Sequence, residues 1–499
     1  MRAVMAPLLS TGQGVLTAPA TLVTDVARSA MVGQPPEASL PVLALGEWRV
    51  EVFLRRWVDA TSDVRGLSTS RGSRTVSGIT RRTEAGTVTI ELLNRARQWD
   101  PTQNTDWYTG VPLRITVSNG SAMVPVFTGR VVDIELQWRS YGLDPMVTVT
   151  AADAVSVLSQ MDLAAVAAVG AGETASARIT RILDAAGWPV GDRDISGGGV
   201  ALAATTLEGS VWDQVGTVVD AEVGDCWVRA DGVVAFRTFA QALNGASSMS
   251  FADDGTGTAY ADVQMVYSDE QLINRVIYAL AGSPTITTLS DTGSAGKYTS
   301  GLYSTLNVTD LPFSTQALAD AWAQLALYIG AEPELRVDTV TLLPRGNTAM
   351  IATLLALEIA SKVTVVINPM GGGTITQSCW VRGISHEVTA DGVWRCTLSL
   401  QSAARYAYLT FDDAVLGLLD QWAFAPGIAQ TFTGGRYVAV AGTAVAVADI
   451  NQLADQMVMV FDTVAAASAA IPSPTAGMQV QITSPFERRF WNGSSWFRA

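Results

Sequence analysis

From residue 41 to residue 158 the chain alternates apolar and polar residues in short runs: Arg49–Leu54, Gly86–Leu92 and Leu113–Val117, then Val124–Val132 and Val147–Thr150. Strict alternation buries one face of a strand and wets the other, so this region predicts antiparallel sheet or barrel. Asn119-Gly120 and Ser140-Tyr141-Gly142 separate the runs as turns.

The pattern changes over 160–255. Thr174–Ala186 has helical spacing and stops at Gly187-Trp188-Pro189, and Val211–Ala221 predicts a second short helix. Cys226–Arg229 and Val233–Phe236 flank Ala230-Asp231-Gly232 as a hairpin. Over 262–405 the strand pattern returns at Asn274–Ala281, Arg336–Leu343, Val363–Asn368 and the hairpin Trp380–Val388/Val393–Leu400, with a helix at Thr315–Ile329. A turn centred on Asp391-Gly392 sets Cys396 opposite Glu387 and rules out a Cys379–Cys396 disulfide.

From Ala446 to Ala470 the pattern predicts a helix in which Ile450, Leu453, Met457, Val460, Val464 and Ala467 step by threes and fours. That stripe fits a short coiled-coil seam, an oligomer interface, or one side of an ordinary packed helix. Ile471-Pro472-Ser473-Pro474 ends it. A small β unit follows, with a hairpin at Asn492-Gly493. Residues 1–40, rich in Ala, Thr, Ser, Pro and Gly, read as an arm.

The β regions resemble each other. Leu113–Gly120, Phe127–Val131 with Gly129, and Val147–Asp153 parallel Val363–Gly371, Val381–Ser385 with Gly383, and Thr397–Ala403. The expected fold class is therefore mainly β with an α+β insert. It divides into an arm (1–40), a first tube-like antiparallel β-barrel domain (41–158), an α/β inserted domain (159–261), a second tube-like β-barrel domain (262–405), and a C-terminal helix with a small β unit for oligomerisation or attachment (406–499).

Composition narrows the function. Of 499 residues, 48% are hydrophobic and 16% charged, which excludes a mostly disordered chain. The net charge of −14 argues against general nucleic-acid binding. The sign is reversed locally, with 11 bases against 8 acids over residues 41–115, a stretch suited to an acidic neighbour or to a solvated face. Three cysteines cannot build a disulfide framework, and this usage fits folding in a reducing cytoplasm. The apolar patch at Ala6–Leu9 is short for a signal peptide, and no membrane insertion is expected.

Catalytic chemistry has little to stand on. GxSxG, HExxH and P-loop motifs are absent, and the single His386 lies in a strand pattern. Gly371-Gly372-Gly373 lacks the Lys-Ser/Thr of a phosphate cradle, and Asp253-Asp254 lacks the spacing of a calcium loop. The reading is no enzyme, no cofactor, no metal and no catalytic residue. Trp491 and Trp496 present either a glycan contact or the core of a small β unit.

Trp57-Val-Asp59-Ala-Thr-Ser-Asp63-Val64-Arg65-Gly66, then Glu84-Ala-Gly86 running to Asn94-Arg95-Ala96-Arg97-Gln98-Trp99-Asp100-Pro101, resembles the opening module of minor tail proteins, the tail-tip (baseplate) hub proteins of long-tailed bacteriophages. The family's usual wording is near Asp-Asn-Arg-Asp-Arg-Arg-Phe-Asp-Pro, from which Leu93, Ala96, Gln98 and Trp99 depart. Gln271–Val276, Ser300–Tyr303, Ala331-Glu332-Pro333 and Val381–His386 resemble the second half of the same proteins. Ala469–Met478 with Trp491–Trp496 resembles a C-terminal unit common among phage tail proteins.

The resemblance implies a virion structural protein made in the host cytoplasm: a homotrimer whose two barrels per chain form a pseudo-sixfold ring. Implied partners are a distal tail protein or tail tube protein, the tape measure protein, and receptor-binding or fibre proteins. Genomic DNA would pass through the lumen without specific binding during ejection, and an acidic lumen suits that passage. The alternatives are a receptor-binding tail protein contacting cell-wall glycan during host attachment, and a tail-associated hydrolase.

Overall fold

The computed structural model describes residues 47–73, 79, 82–139, 144–344 and 347–406, and the strands Ala425–Pro426, Val440–Ala441, Met459–Phe461, Gln479–Thr483, Phe486–Trp491 and Trp496–Arg498. The described residues fall into two compact units, one of 47–319 with 329–406, the other of 320–328 with the strands beyond 406.

Alternating sequence becomes one thirteen-stranded sheet in the first unit. Its strands are β1 (Trp48–Phe53), β2 (Trp57–Asp59), β3 (Val64–Gly72), β4 (Thr87–Leu93), β5 (Pro112–Ser118), β6 (Met123–Arg139) and β7 (Asp144–Ala152), then β8 (Met249–Ala252), β9 (Asp262–Tyr267), β10 (Leu335–Leu342), β11 (Lys362–Ile367), β12 (Ile375–Val388) and β13 (Trp394–Ser402). In space they run β9-β10-β13-β12-β3-β4-β7-β6-β5-β1-β2, with β11 beside β12 and β8 beside β11.

This order contains one module twice. The first module is β3-β4-β7-β6-β5-β1 and the second is β9-β10-β13-β12-β11-β8, so the same chain order gives the same spatial order. They differ at the last position, where β1 pairs antiparallel with β5 but β8 pairs parallel with β11. Each module wraps its inward faces around its own core. Val52, Ile90, Ile115, Phe127 and Val149 belong to the first; Phe251, Val340, Val365, Val381 and Leu398 belong to the second.

The correspondence holds residue by residue. A bulge follows Val131 where β6 meets β7, and another follows Val381 where β12 meets β13. Val131 donates to Val111 O and accepts from Gly110 N. Val381 donates to Ser361 O and accepts from Ala360 N. Gly110 and Ala360 both hold positive φ, 100° and 67°. The two glycines matched by sequence, Gly129 and Gly383, are therefore not counterparts; Gly383 corresponds to Asp133.

Between β7 and β8 lie helices Ala154–Gln160, Ala175–Ala185 and Val211–Glu222, capped by Asp153, Thr174 and Ser210, and the antiparallel hairpin Asp225–Val228/Val234–Arg237. The second module starts at β8, before residue 262. The Asn274–Ala281 run forms a strand, Arg275–Leu280, but outside the large sheet. It sits in a three-stranded side sheet between Thr287–Ser290 and Thr305–Leu311. The β12–β13 hairpin sets Cys396 opposite His386, one residue from the expected Glu387. Its loop has three residues, ending at Gly392 with φ 77°, where a centre on Asp391-Gly392 implies two.

In the second unit, Gln479–Thr483, Phe486–Trp491 and Trp496–Arg498 form an antiparallel sheet. The predicted helix over Ala446–Ala470 is interrupted, because Met459–Phe461 is a strand parallel to Val480–Ile482. Met457-Val458-Met459-Val460-Phe461 is a continuous apolar run, compatible with either element until a neighbouring strand offers pairing. Val460 thus occupies a strand. Ile450, Leu453, Met457 and Val464 lie outside the described residues.

Candidate assembly interface

The two modules are joined by one antiparallel ladder. β12 carries two partners end to end on the same edge: β11 along Ile375–Trp380, then β3 along Gly383–Val388. The β3 register is Gly72↔Gly383, Arg71↔Ile384, Ser70↔Ser385, Thr69↔His386, Ser68↔Glu387 and Leu67↔Val388. Close approach fixes the end of this ladder. Gly72 has φ 79°, and a Cβ there would lie 2.1 Å from Arg382 O.

Beneath the ladder, Val117 and Val126 of the first module meet Ile351 and Trp394 of the second, with Trp48 and Val388 packed against them. Trp48 and Trp394 stand edge to face at 5.0 Å. His386 is buried beside both rings and accepts from Trp394 Nε1 through Nδ1 at 3.2 Å, which leaves its proton on Nε2. Desolvation, helped by the nearby Arg71 charge, pushes its pKa down to about 3. The lone histidine is a neutral packing residue of the seam.

A polar clasp from the inserted hairpin crosses the same junction. Asp225 receives Arg237 at 3.0 Å and also Arg382, whose Nε donates to Gln401 at 2.7 Å. Arg71 of β3 pairs with Glu358 at 2.9 Å, and Glu358 accepts from Trp227 Nε1 and Ala230 N. Thr128 of β6 donates to Ala230 O. Buried charges this well partnered hold a fixed geometry more than they add stability. A cleft of about 320 Å³ opens beside them, lined by Arg71, Val124, Arg229, Glu358 and His386. At the end of β7, Asp153 is buried and accepts from Gly86 N and Val155 N, and desolvation raises its pKa to about 7.

Besides the short strands β2 and β8, each paired on one side only, two edges of the large sheet remain open among the described residues. β9 pairs with β10 alone. β6 continues past its β5 partner, which ends at Arg130, and no described strand follows on that side. Both segments alternate. Ile134 and Leu136 rest on the first core, with Trp138 in step with them, between Asp133, Glu135 and Gln137; in β9, Val263 and Met265 rest on the second core with Tyr267 in step, separated by Gln264 and the apolar Val266. Trp138 is 50% exposed and Tyr267 63%.

The outward face of the continuous sheet is built from small hydroxyls and acids. One row across the strands reads Asp262, Thr341, Thr397, Ser385, Ser70, Thr87; the next reads Arg395, Glu387, Ser68, Thr89, Thr150, Asp133. Glu91, Thr148 and Glu135 continue it.

The Asn94–Asp100 motif is a self-locking loop. Asn94 Oδ1 accepts from Trp99 N, Trp99 Nε1 and Gln98 Nε2 reach Asp63, and Arg97 pairs with Asp100 at 2.6 Å. Hydrogen bonds from Thr102, then Arg97, hold the Asp100 carboxyl below its usual range. Asp253 takes both amides of Asn368, bracing a turn. Among the described residues no cluster could hold a metal ion, and no helix is long and apolar enough to cross a membrane. Cys226, Cys379 and Cys396 are buried free thiols, pushed up by desolvation. Trp491 and Trp496 sit directly opposite each other in their hairpin. The open edges and the outward face were missed in the sequence, because each depends on which strands become neighbours.

No protein-family model and no curated protein matches the sequence. Among solved structures, the fold is similar to the tail protein from Neisseria meningitidis MC58, at 12% identity over 72% of this chain and 96% of that one, TM-score 0.49. It is similar to the prophage MuSo2 43 kDa tail protein from Shewanella oneidensis, at 13% identity over 73% and 99%, TM-score 0.49. It is also similar to the E. coli c3393 protein, a type VI secretion component described as resembling the T4 tail proteins gp27 and gp5, at 10% identity over 68% and 73%, TM-score 0.40.

Proposed function

We propose that this chain is a structural hub of a phage tail tip, assembled as a homotrimer whose six β-modules form a pseudo-sixfold ring. The observation that carries this reading is the duplicated module joined through β3 and β12. A chain that contains two successive positions of a ring needs three copies to present six. The sequence resemblance around Asn94–Pro101 and across the second module supports the same reading. In that setting the ring would meet the tail tube or distal tail protein on one side and anchor host-binding proteins on the other, with the tape measure protein inside.

The outward Ser/Thr face would line the lumen. It offers no aromatic platform for bases, Asp262, Glu91, Asp133 and Glu135 repel phosphates, and Arg395 faces Glu387. DNA would slide along such a wall without being held. This role requires no catalytic step and no cofactor. The test is the mass of the purified chain by light scattering, with antibody labelling of intact particles. A species near three times 52.6 kDa and label at the tail tip are expected; label on the head or outside the particle would reject the reading.

A further inference from the structure

The internal seam is a template for a second contact that the chain makes with another copy of itself. Pairing runs Ser68↔Thr89↔Thr150↔Asp133 across the first module and Gln264↔Thr339↔Ser399↔Gly383 across the second. Gln264 of β9 is therefore the counterpart of Ser68 in β3. The open half of β6 is the counterpart of Gly383–Val388, with Leu136 standing for His386 and Trp138 for Val388. Inside one chain, β3 lies along that half of β12; on the corresponding edge of β6, the one away from β7, lies no described strand.

We propose that β9 of one copy adds antiparallel to the 132–138 segment of β6 in the next, in the register of the β3–β12 seam. The copied register sets Leu136 opposite Met265, Trp138 opposite Val263 and Ile134 opposite Tyr267. The apolar row Ile134, Leu136 and Trp138 thereby meets the apolar row Tyr267, Met265 and Val263, while on the other face Gln137 faces Gln264 and Glu135 faces Val266. A one-residue slip would set most of these apolar side chains against polar ones and leave a single apolar pair, through Val266. Ile134 and Leu136 already rest on the first core, and Val263 and Met265 on the second, so joining the edges would extend both cores. The interface is heterologous, one edge of each kind per copy, so copies add head to tail until the rotation closes. Sealing both edges also removes two templates for uncontrolled strand pairing.

This inference names the contact within the trimer proposed above and rests on that reading for the number of copies. The test introduces Leu136→Cys with Met265→Cys into the full chain; the native thiols are buried and do not compete. Oxidation of the purified chain should give disulfide-linked dimers and trimers on non-reducing gels. Leu136→Cys with Gln264→Cys, one residue out of register, should cross-link at least tenfold less. Trp138→Glu, at an exposed position, should leave the melting of the single chain unchanged and abolish association. A chain that stays monomeric without cross-links, or a trimer that cross-links equally in both registers, overturns the proposal. A trimer found at the tail tip without the Leu136–Met265 link removes the register and leaves the hub role standing. The link formed by a chain absent from tail tips does the reverse.

Discussion

The two modules share one topology and differ in what their corresponding positions do. Arg382, just past the bulge of β12, is buried and clasped to Asp225 and Gln401, whereas its counterpart Val132 on β6 is exposed. His386 packs between two tryptophans; Leu136 waits half-buried at an open edge. Thr69 is enclosed in the seam, while Met265 lies on an edge strand. One set of strands has been specialised for a permanent partner in the same chain and the other left with an apolar row. The difference teaches that burial at a given topological position is set by the neighbour, not by the strand.

Four predictions, with six substitutions among them, break or sharpen this comparison. Arg382→Met removes one of the two arginine partners of buried Asp225, leaving Arg237, and should cost about 1–3 kcal/mol by denaturant unfolding. Val132→Thr, at the counterpart position, should stay within about 0.5 kcal/mol. The second concerns pH. His386 is held below its ordinary unfolded pKa, so its contribution is complete above about pH 6.5 and is lost as pH falls toward about 3. His386→Leu, which copies the first module's Leu136, should narrow its stability gap to the parent by about 1.4 kcal/mol per pH unit over that window. Asp153, raised to about 7, acts with the opposite sign, losing its contribution as pH rises toward 7, and cancels in that difference.

Third, Gly110 holds φ 100° with open space where a Cβ would go, so Gly110→Ala should cost about 1–2 kcal/mol through backbone strain alone. Ala360 holds the same turn at φ 67°, and Ala360→Gly should change stability by less than about 1 kcal/mol, as strain relief offsets lost chain stiffness. Fourth, the buried Thr69 hydroxyl has no hydrogen-bond partner among the described residues, so Thr69→Val should raise stability by about 1 kcal/mol. Thermal melts of each pair read the contrast directly.

Much of the local structure was legible. Alternation located β1, β4, β5, β6 and β7 of the large sheet but not β2 or β3, and helical spacing located helices Ala175–Ala185, Val211–Glu222 and Gln316–Gly330. The short strand β8 carried too little pattern to find, and its parallel partner lies far along the chain. The 459–461 segment shows the limit of periodicity, since its apolar run satisfied a helical stripe until strand pairing was available.

What the sequence determined by itself was where most of the longer strands lie, which face of each is wet, and that one pattern occurs twice. These follow from side-chain spacing over a few residues. Tertiary structure alone decided that β12 is shared between two modules, that Thr69 lies opposite His386, and that Ile134, Leu136 and Trp138 are left at an edge. A strand's hydrogen-bonding groups are the same on both sides whatever its sequence. Which neighbour fills each side is fixed only by the packing of residues hundreds of positions apart.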